Sequence, residues 1–579
     1  MAFALGILSG SISCALAEAP VPTAQQLAWQ RLEFIAFAHF GVNTFTDREW
    51  GDGKEDPQLF NPTDFDARQW AAVLDDAGVK LLILTAKHHD GFCLWPSKLT
   101  EHSVKNSPWR DGEGDVVREV VDALRERGIR VGLYLSPWDR NNPSYGDSPR
   151  YNEYFRGQLR ELLTNYGTID EVWFDGACGE GPNGKRQEYD WESYYAVVRE
   201  LQPDALIAIS GPDIRWVGNE SGVARENESS VVERDGKMIW YPAECDVSIR
   251  PGWFYHERED SQVKSLATLA DIYFKSVGRN SVLLLNIPPD RRGRIAEPDA
   301  IRLREFGEFV RELNAADFAS EATVTASSAN APAHAAIKVL DGDLDSSWMP
   351  AEGETTGQIE FDLGRPCTFN VARIQEDIRL GERVKSYSVE IRDGDRWRMV
   401  TSGQVIGYKQ LRRFPEVTTD RVRLIIDEAS AVPAIAEFGL HFNPLAPAGS
   451  GAVTAHQPAS ASNVHPGGTQ FGPDKAVDDD PQTRWATADD IKQAWLEVEL
   501  PKPTRISRLV IRELDPRLTQ YQLEYRLEEA EEWKVAYTGK TAGTDFSVTF
   551  PPVQARFVRL NILDSSRPPT IWEFQVFEK

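Results

Sequence analysis

From about residue 30 to 315 the apolar positions alternate between two rhythms. Apolar, β-rich runs occur at FIAFAHFGVN (34–43), LLILTAKHH (81–89), VGLYLSP (131–137), EVWFDGA (171–177), ALIAIS (205–210) and SVLLLNIPP (281–289). Between them, segments with helical period cover 65–77, 114–128, 151–166, 188–202, 262–278 and 297–314. Repeated β–α units of this size predict a parallel sheet with helical crossovers. Residues 22–315 are long enough for a (β/α)₈-like barrel, with degenerate units around 211–250. A doubly wound open sheet is the rival. It needs a Gly-rich phosphate turn after the first strand, and HFGVNTF (39–45) is not one.

After residue 316 helical periodicity gives way to short alternating runs, and the chain repeats itself. Val339–Asp343 corresponds to Ala476–Asp480, Trp348 to Trp485, and Ile359–Phe361 to Leu496–Val498, each 137 residues apart. Val422–Leu424 matches Val558–Leu560, and Glu437-Phe438 matches Glu573-Phe574, 136 apart. Two copies of one β-sandwich are therefore expected, at 316–442 and 452–579, joined by a linker over 443–451. The predicted fold class is multidomain: a barrel followed by two β-sandwiches.

Composition narrows the chemistry. The chain has 579 residues, with 64 Lys and Arg against 89 Asp and Glu, a net charge of −25. Such acidity argues against nucleic acid, which needs a basic surface. Seventeen tryptophans exceed what a core requires. Flat indole faces stack on sugar rings, so carbohydrate is the first ligand class to consider.

Residues 2–17 are uncharged and apolar or small, and Ala15-Leu16-Ala17 has the form of a signal-peptidase site. This predicts an exported protein, periplasmic or extracellular, although no Lys or Arg precedes Arg31. No other stretch reads as a membrane span. The five cysteines form no CxxC pair, so scattered thiols are expected rather than a disulfide framework or a zinc site.

Three clusters carry chemistry. The second strand run ends in Thr85, Lys87, His88, His89, Asp90 and Gly91. C-terminal strand ends face the active site of such a barrel. Adjacent histidines on a strand point to opposite faces, so both reach one ligand only if the strand stops there. The fourth run ends in Trp173-Phe174-Asp175-Gly176, which puts Trp173 and Asp175 on the inner face. Asp175 is a candidate nucleophile or general base. The loop GPDIRWVGNE (211–220) supplies Glu220 beside Trp216. There, partial desolvation would raise its pKa and suit a general acid. Two such carboxylates form the pair that glycoside hydrolysis uses, about 5–5.5 Å apart for retention and about 6.5–9.5 Å for inversion. His39, Glu49, Trp50, Tyr134 and Trp253 complete a lining suited to a neutral polyhydroxylated ring. His39, His88, His89 and Asp175 could also be metal ligands, but no HxH or HExxH spacing supports it.

AHFGVNTFTDREWGDG (38–53), TAKHHDGFCLWPS (85–97), YLSPWDRN (134–141), VWFDGA (172–177) and LLNIPPDRRGRI (284–295) resemble the retaining α-L-fucosidases of glycoside hydrolase family 29. The resemblance implies a (β/α)₈-like catalytic domain and a double displacement that needs no cofactor. It makes Asp175 the nucleophile and puts His39, Glu49, Trp50, His88, His89, Tyr134 and Trp173 around the fucose. RWVGNE (215–220) is similar to the branch that favours α-1,3/1,4-linked fucose on Lewis-type glycans. That likeness makes Glu220 the acid/base, with Arg215 and Trp253 touching sugar or aglycone. The two C-terminal modules resemble discoidin-like (F5/8 type C) sandwiches, many of which are carbohydrate-binding modules of family 32. Acidic turns at 341–345 and 478–480 could hold structural Ca²⁺. The implied partners are fucosylated glycans. The alternatives are a non-catalytic glycan-binding protein, or a retaining exo-glycosidase for another sugar such as galactose.

Overall fold

The computed structural model describes residues 19–445, 452–479, 483–543 and 546–578. The leader expected at 2–17 and most of the linker at 443–451 lie outside the described residues. The chain forms two compact units, Met1–Pro444 and Leu445–Lys579.

The first unit opens with eight parallel strands: β1 (Phe34–Ala38), β2 (Leu81–Lys87), β3 (Arg130–Leu135), β4 (Glu171–Phe174), β5 (Leu206–Ile209), β6 (Arg215–Trp216), β7 (Ala243–Ser248) and β8 (Val282–Asn286). Their order is β5-β4-β3-β2-β1-β8-β7-β6, a ring that stays open between β5 and β6. The opening has a local cause. Only five residues link β5 to β6, too few for a crossover helix, and the Ile214 N–H turns back to the Ile207 carbonyl at 3.3 Å. After β6 a hairpin, Val231–Arg234 with Lys237–Trp240, stands where a helix would be. These are the degenerate units expected around 211–250.

The remaining crossovers are ordinary amphipathic helices, and four of them have side-chain N-caps. Asp66, Asp115, Asp190 and Ser265 cap Ala67–Ala77, Val116–Glu126, Trp191–Leu201 and Leu266–Lys275 by accepting backbone N–H groups. Every residue of β1, β2 and β8 is buried. One face of each strand fills the barrel and the other meets the helices, so a period-2 pattern is not needed. The interior packs Ile35, Phe37, Ile83, Tyr134, Trp173, Ala208 and Leu284 together. Removing one large member such as Phe37 costs about 3–5 kcal/mol.

The first sandwich belongs to the same unit. Its antiparallel strands Gly357–Glu376 and Gln410–Ala429 pair Ile359 with Leu424 and Phe361 with Val422. It is bolted to the barrel by polar contacts. Tyr408 donates to Glu33 at 2.7 Å, Arg413 meets Asp271 at 2.7 Å, and Glu382 accepts from Ser230 and Asn280 at 2.8 and 2.6 Å. The acidic turn at 341–345 is gathered around cations of the protein itself. Lys338 and Ser346 reach Asp341, while Arg31 and Arg379 reach Asp345. Among the described residues no group of three or more His, Cys, Asp or Glu is arranged for a metal.

The second unit repeats the plan. Leu496 faces Leu560 and Val498 faces Val558. Trp348 and Trp485 are both fully buried, each giving its indole N–H to a carbonyl at 2.9 Å. Asp480 of the second acidic turn lies outside the described residues. Four cysteines, Cys93, Cys178, Cys245 and Cys367, are free thiols. No described helix is long and apolar enough to cross a membrane.

Candidate active site

The C-terminal ends of β1 to β4 place the first group of side chains. β2 ends at Lys87, two residues short of the expected run. His88 to Gly91 close a turn in which the Gly91 N–H meets the His88 carbonyl at 3.0 Å. Gly91 has φ +84°, and a Cβ there would stand 2.4 Å from Asp139, so only glycine fits. Released from strand geometry, His88 and His89 lie side by side with ring centroids 4.1 Å apart.

Asp175 follows β4 directly. Its Oδ1 accepts the Ala177 N–H at 2.7 Å, and Oδ2 accepts the Tyr134 hydroxyl at 3.2 Å. His89 Nε2 stands 3.9 Å from Oδ2. Burial, and next the charge of Asp175, push the Tyr134 phenol far above its ordinary range. Tyr134 therefore stays protonated and donates to the carboxylate. Its ring stacks on Trp173 with centroids 5.2 Å apart.

The histidines are neutral because burial disfavours their charge. His39 is pushed down to about 3, its bond to Asn286 only partly opposing desolvation. His88 and His89 are also lowered, chiefly by burial. Their neighbours assign the tautomers. Asn286 Oδ1 accepts from His39 Nδ1 at 2.8 Å, since its Nδ2 already donates to Ser248 and to the Trp253 carbonyl. Ser136 donates to the Trp138 carbonyl at 2.8 Å and accepts from His89 Nδ1 at 2.7 Å. Both rings then keep Nε2 as an acceptor for a hydroxyl. His88 Nδ1 is buried without a hydrogen-bond partner in the protein.

Glu49 and Trp50 come from the loop after β1. Glu49 accepts the Trp253 and Phe254 N–H groups at 2.8 and 3.2 Å and meets His256 Nε2 at 2.7 Å. Trp50 is 58% exposed, with its ring edge-on to His89 at 5.7 Å. Trp253 lies 5.1 Å from His39.

Glu220 sits on the loop after β6. Asn219 braces this loop, accepting from Ser221 N–H at 3.1 Å and donating to the Val223 carbonyl at 2.8 Å. Ser221 pairs with Val247 of β7, which folds the loop against the barrel mouth. Glu220 is exposed rather than half-desolvated by Trp216. Its Oε2 accepts the Trp253 indole N–H at 3.4 Å. Arg215 alone stands apart. Its guanidinium is held by Glu228 and by the Tyr241 and Ser229 carbonyls, on the opposite face of β6 from Trp216.

Several functional neighbours escaped the sequence reading. Asn286 and Ser136 lay inside quoted motifs, and their role depends on orientation. Phe254 packs against His39 and His88 at 5.5 and 5.0 Å. Glu171 and Glu244 are neighbouring buried carboxyls inside the barrel, each acting on the other's ionisation. Trp29 and Trp173 donate to them at 2.9 and 2.8 Å. Burial pushes Glu171 up to about 7, and burial and Glu171 push Glu244 up further. Burial thus favours the protonated form of this pair, and Glu244 holds the Trp173 indole from below. The alternating carboxylates of AECDVS (243–248) are the sequence signal for this pair.

The arrangement offers a carboxylate held by a phenol, neutral imidazole acceptors, an aromatic floor and a second, exposed carboxylate. The sequence profile described as Alpha-L-fucosidase matches residues 24–315, and that of the F5/8 type C domain matches 323–438 and 458–574. The α-L-fucosidase 1 of Arabidopsis thaliana is 43% identical over 448 residues, covering 73% of this chain and 88% of its own. Among solved structures, SpGH29 has a TM-score of 0.71 at 42% identity, covering 74% of this chain and 99% of its own. A glycoside hydrolase 29 member from an unknown rumen bacterium covers 97% of this chain and 100% of its own, with TM-score 0.67 and 34% identity. The chain belongs to the α-L-fucosidases of glycoside hydrolase family 29, and it carries two F5/8 type C domains behind its catalytic near-barrel.

Proposed function

We propose that the enzyme releases terminal fucose with retention, Asp175 serving as nucleophile and Glu220 as acid/base, on α-1,3/1,4-linked Lewis-type branches. One observation carries the reading. Both carboxylates edge the same ring cluster: Tyr134, which donates to Asp175, and Trp253, which donates to Glu220, lie 6.1 and 5.1 Å from the His39 ring.

In the first step the Glu220 carboxyl protonates the glycosidic oxygen while an Asp175 oxygen attacks the anomeric carbon. The bond to the aglycone breaks and a fucosyl ester of Asp175 forms. Glu220, now a carboxylate, takes a proton from water, whose oxygen displaces Asp175 and frees fucose. Tyr134 stabilises the Asp175 charge before attack and after release. The Nε2 atoms of His39 and His89 accept hydrogen bonds from sugar hydroxyls. An analogue lacking such a hydroxyl leaves a buried group unpaired, at about 1–3 kcal/mol. The Phe254 ring supplies apolar surface for the C5 methyl. Two carboxylates suffice for this chemistry without a cofactor.

The test is to trap the intermediate with a 2-deoxy-2-fluoro-fucosyl fluoride and map the labelled peptide. Label on Asp175 is expected; label elsewhere, or an inverted first-formed anomer by NMR, overturns the mechanism. Linkage is tested by free fucose from a Lewis trisaccharide and 3-fucosyllactose against 2′-fucosyllactose. Faster release from 2′-fucosyllactose would overturn the linkage reading alone. We further infer export from the leader pattern, with a mature N-terminus at Glu18 as the expected sequencing result.

A further inference from the structure

Trp216 is a large apolar residue left 40% exposed at the mouth of the barrel. It is nevertheless held. Its indole N–H donates to Asp246 Oδ1 at 2.7 Å. Asp246 lies near the end of β7 and is only 5% exposed. Trp216 pairs with Glu244 in the ladder between β6 and β7, so backbone and side chain both fix the ring. Glu220 is close enough for its charge to act on Asp246. The exposed indole thus stands on the acid/base side of the site, away from the His88–His89 wall that faces Asp175.

We propose that Trp216 is the platform for the sugar that carries the fucose, a hexopyranose whose flat C–H face lies on the indole, and that Asp246 is its positioning residue. The proposal rests on Glu220 as acid/base, because the leaving oxygen must lie beside the acid that protonates it. Burial pushes the Asp246 carboxyl up to about 8, with the bond from Trp216 opposing it in part. A neutral carboxyl offers its carbonyl oxygen to the indole and puts no second negative charge beside Glu220. A fixed ring loses little freedom when a sugar lands on it, which is how preorganisation raises affinity.

The test compares kcat/KM on two substrates, a Lewis trisaccharide and α-L-fucosyl fluoride, whose leaving group has no ring to stack. Trp216→Ala should lose about 10-fold more on the trisaccharide than on the fluoride, with Trp216→Phe recovering part of the difference. Asp246→Asn, which keeps an acceptor, should show a smaller substrate difference than Asp246→Leu. Equal losses on both substrates, or no loss on the trisaccharide, would overturn the platform. An Asn variant as selective in its damage as the Leu variant would overturn the positioning role. Glu220→Ala, run alongside, separates the two readings. If it spares the trisaccharide the acid/base assignment fails, whatever Trp216 does.

Discussion

The two walls of the active site are built differently. On the Asp175 side, His39, His88, His89 and Tyr134 are 5%, 8%, 3% and 1% exposed, and all lie at or just beyond the ends of packed strands. On the opposite side Glu220 is exposed on a loop whose brace is the Asn219 side chain. The first wall is preorganised by burial, so it can discriminate one sugar. The second is open, as a site must be that admits a leaving group of variable structure. Under the proposed mechanism, the cleaved sugar and its carrier are handled by different parts of one fold.

Substitutions can break this contrast. Asp175→Ala should abolish turnover of every fucoside, by at least about 10⁴-fold, because it removes the carboxylate that forms the ester in the proposed mechanism. Substantial residual activity would move the nucleophile elsewhere. Glu220→Ala should cost about 10²–10⁴-fold on glycans and much less in kcat/KM on fucosides with a good leaving group. Azide should restore kcat by replacing the activated water. Failure of azide together with equal losses on both substrates would erase the functional difference between the walls.

Tyr134→Phe removes a hydrogen bond to a charged group, worth about 1.5–3 kcal/mol. Roughly a 10–100-fold fall in kcat is expected, with little change in the fold by circular dichroism. An unchanged kcat would mean the phenol only packs. Asn219→Ala frees the Glu220 loop and should lower kcat/KM by about 10-fold while Tm holds, since Val217 and Ala224, buried at either end of the loop, keep their packing. A large fall in Tm would make the second wall as structural as the first.

The walls should also differ in pH. His39 has a folded pKa of about 3, below its ordinary 6.5. The unfolded chain therefore binds the extra proton first, and stability present above 6.5 is lost as pH falls toward 3. This single group predicts about 2 kcal/mol lost by pH 5. Denaturant midpoints at pH 8 and 5 should fall less for His39→Gln than for the native chain; equal falls would assign the loss to other groups.

The sequence by itself determined the strand and helix rhythm of the barrel, the repeat of the sandwiches, and the motifs that carry His88, His89 and Asp175. These are properties of local pattern, which burial on two faces or one impresses on a chain. It could not determine which partners close around a side chain. Arg215 and Trp216 are neighbours on a two-residue strand, so one must turn to Glu228 and the other to the mouth, and only packing chose which. The neutral histidines, the raised carboxyls of Glu171 and Glu244, and the open seam between β5 and β6 arise from groups far apart in sequence. Burial and charge act through space, and only the folded barrel brings those groups within a few ångströms of one another.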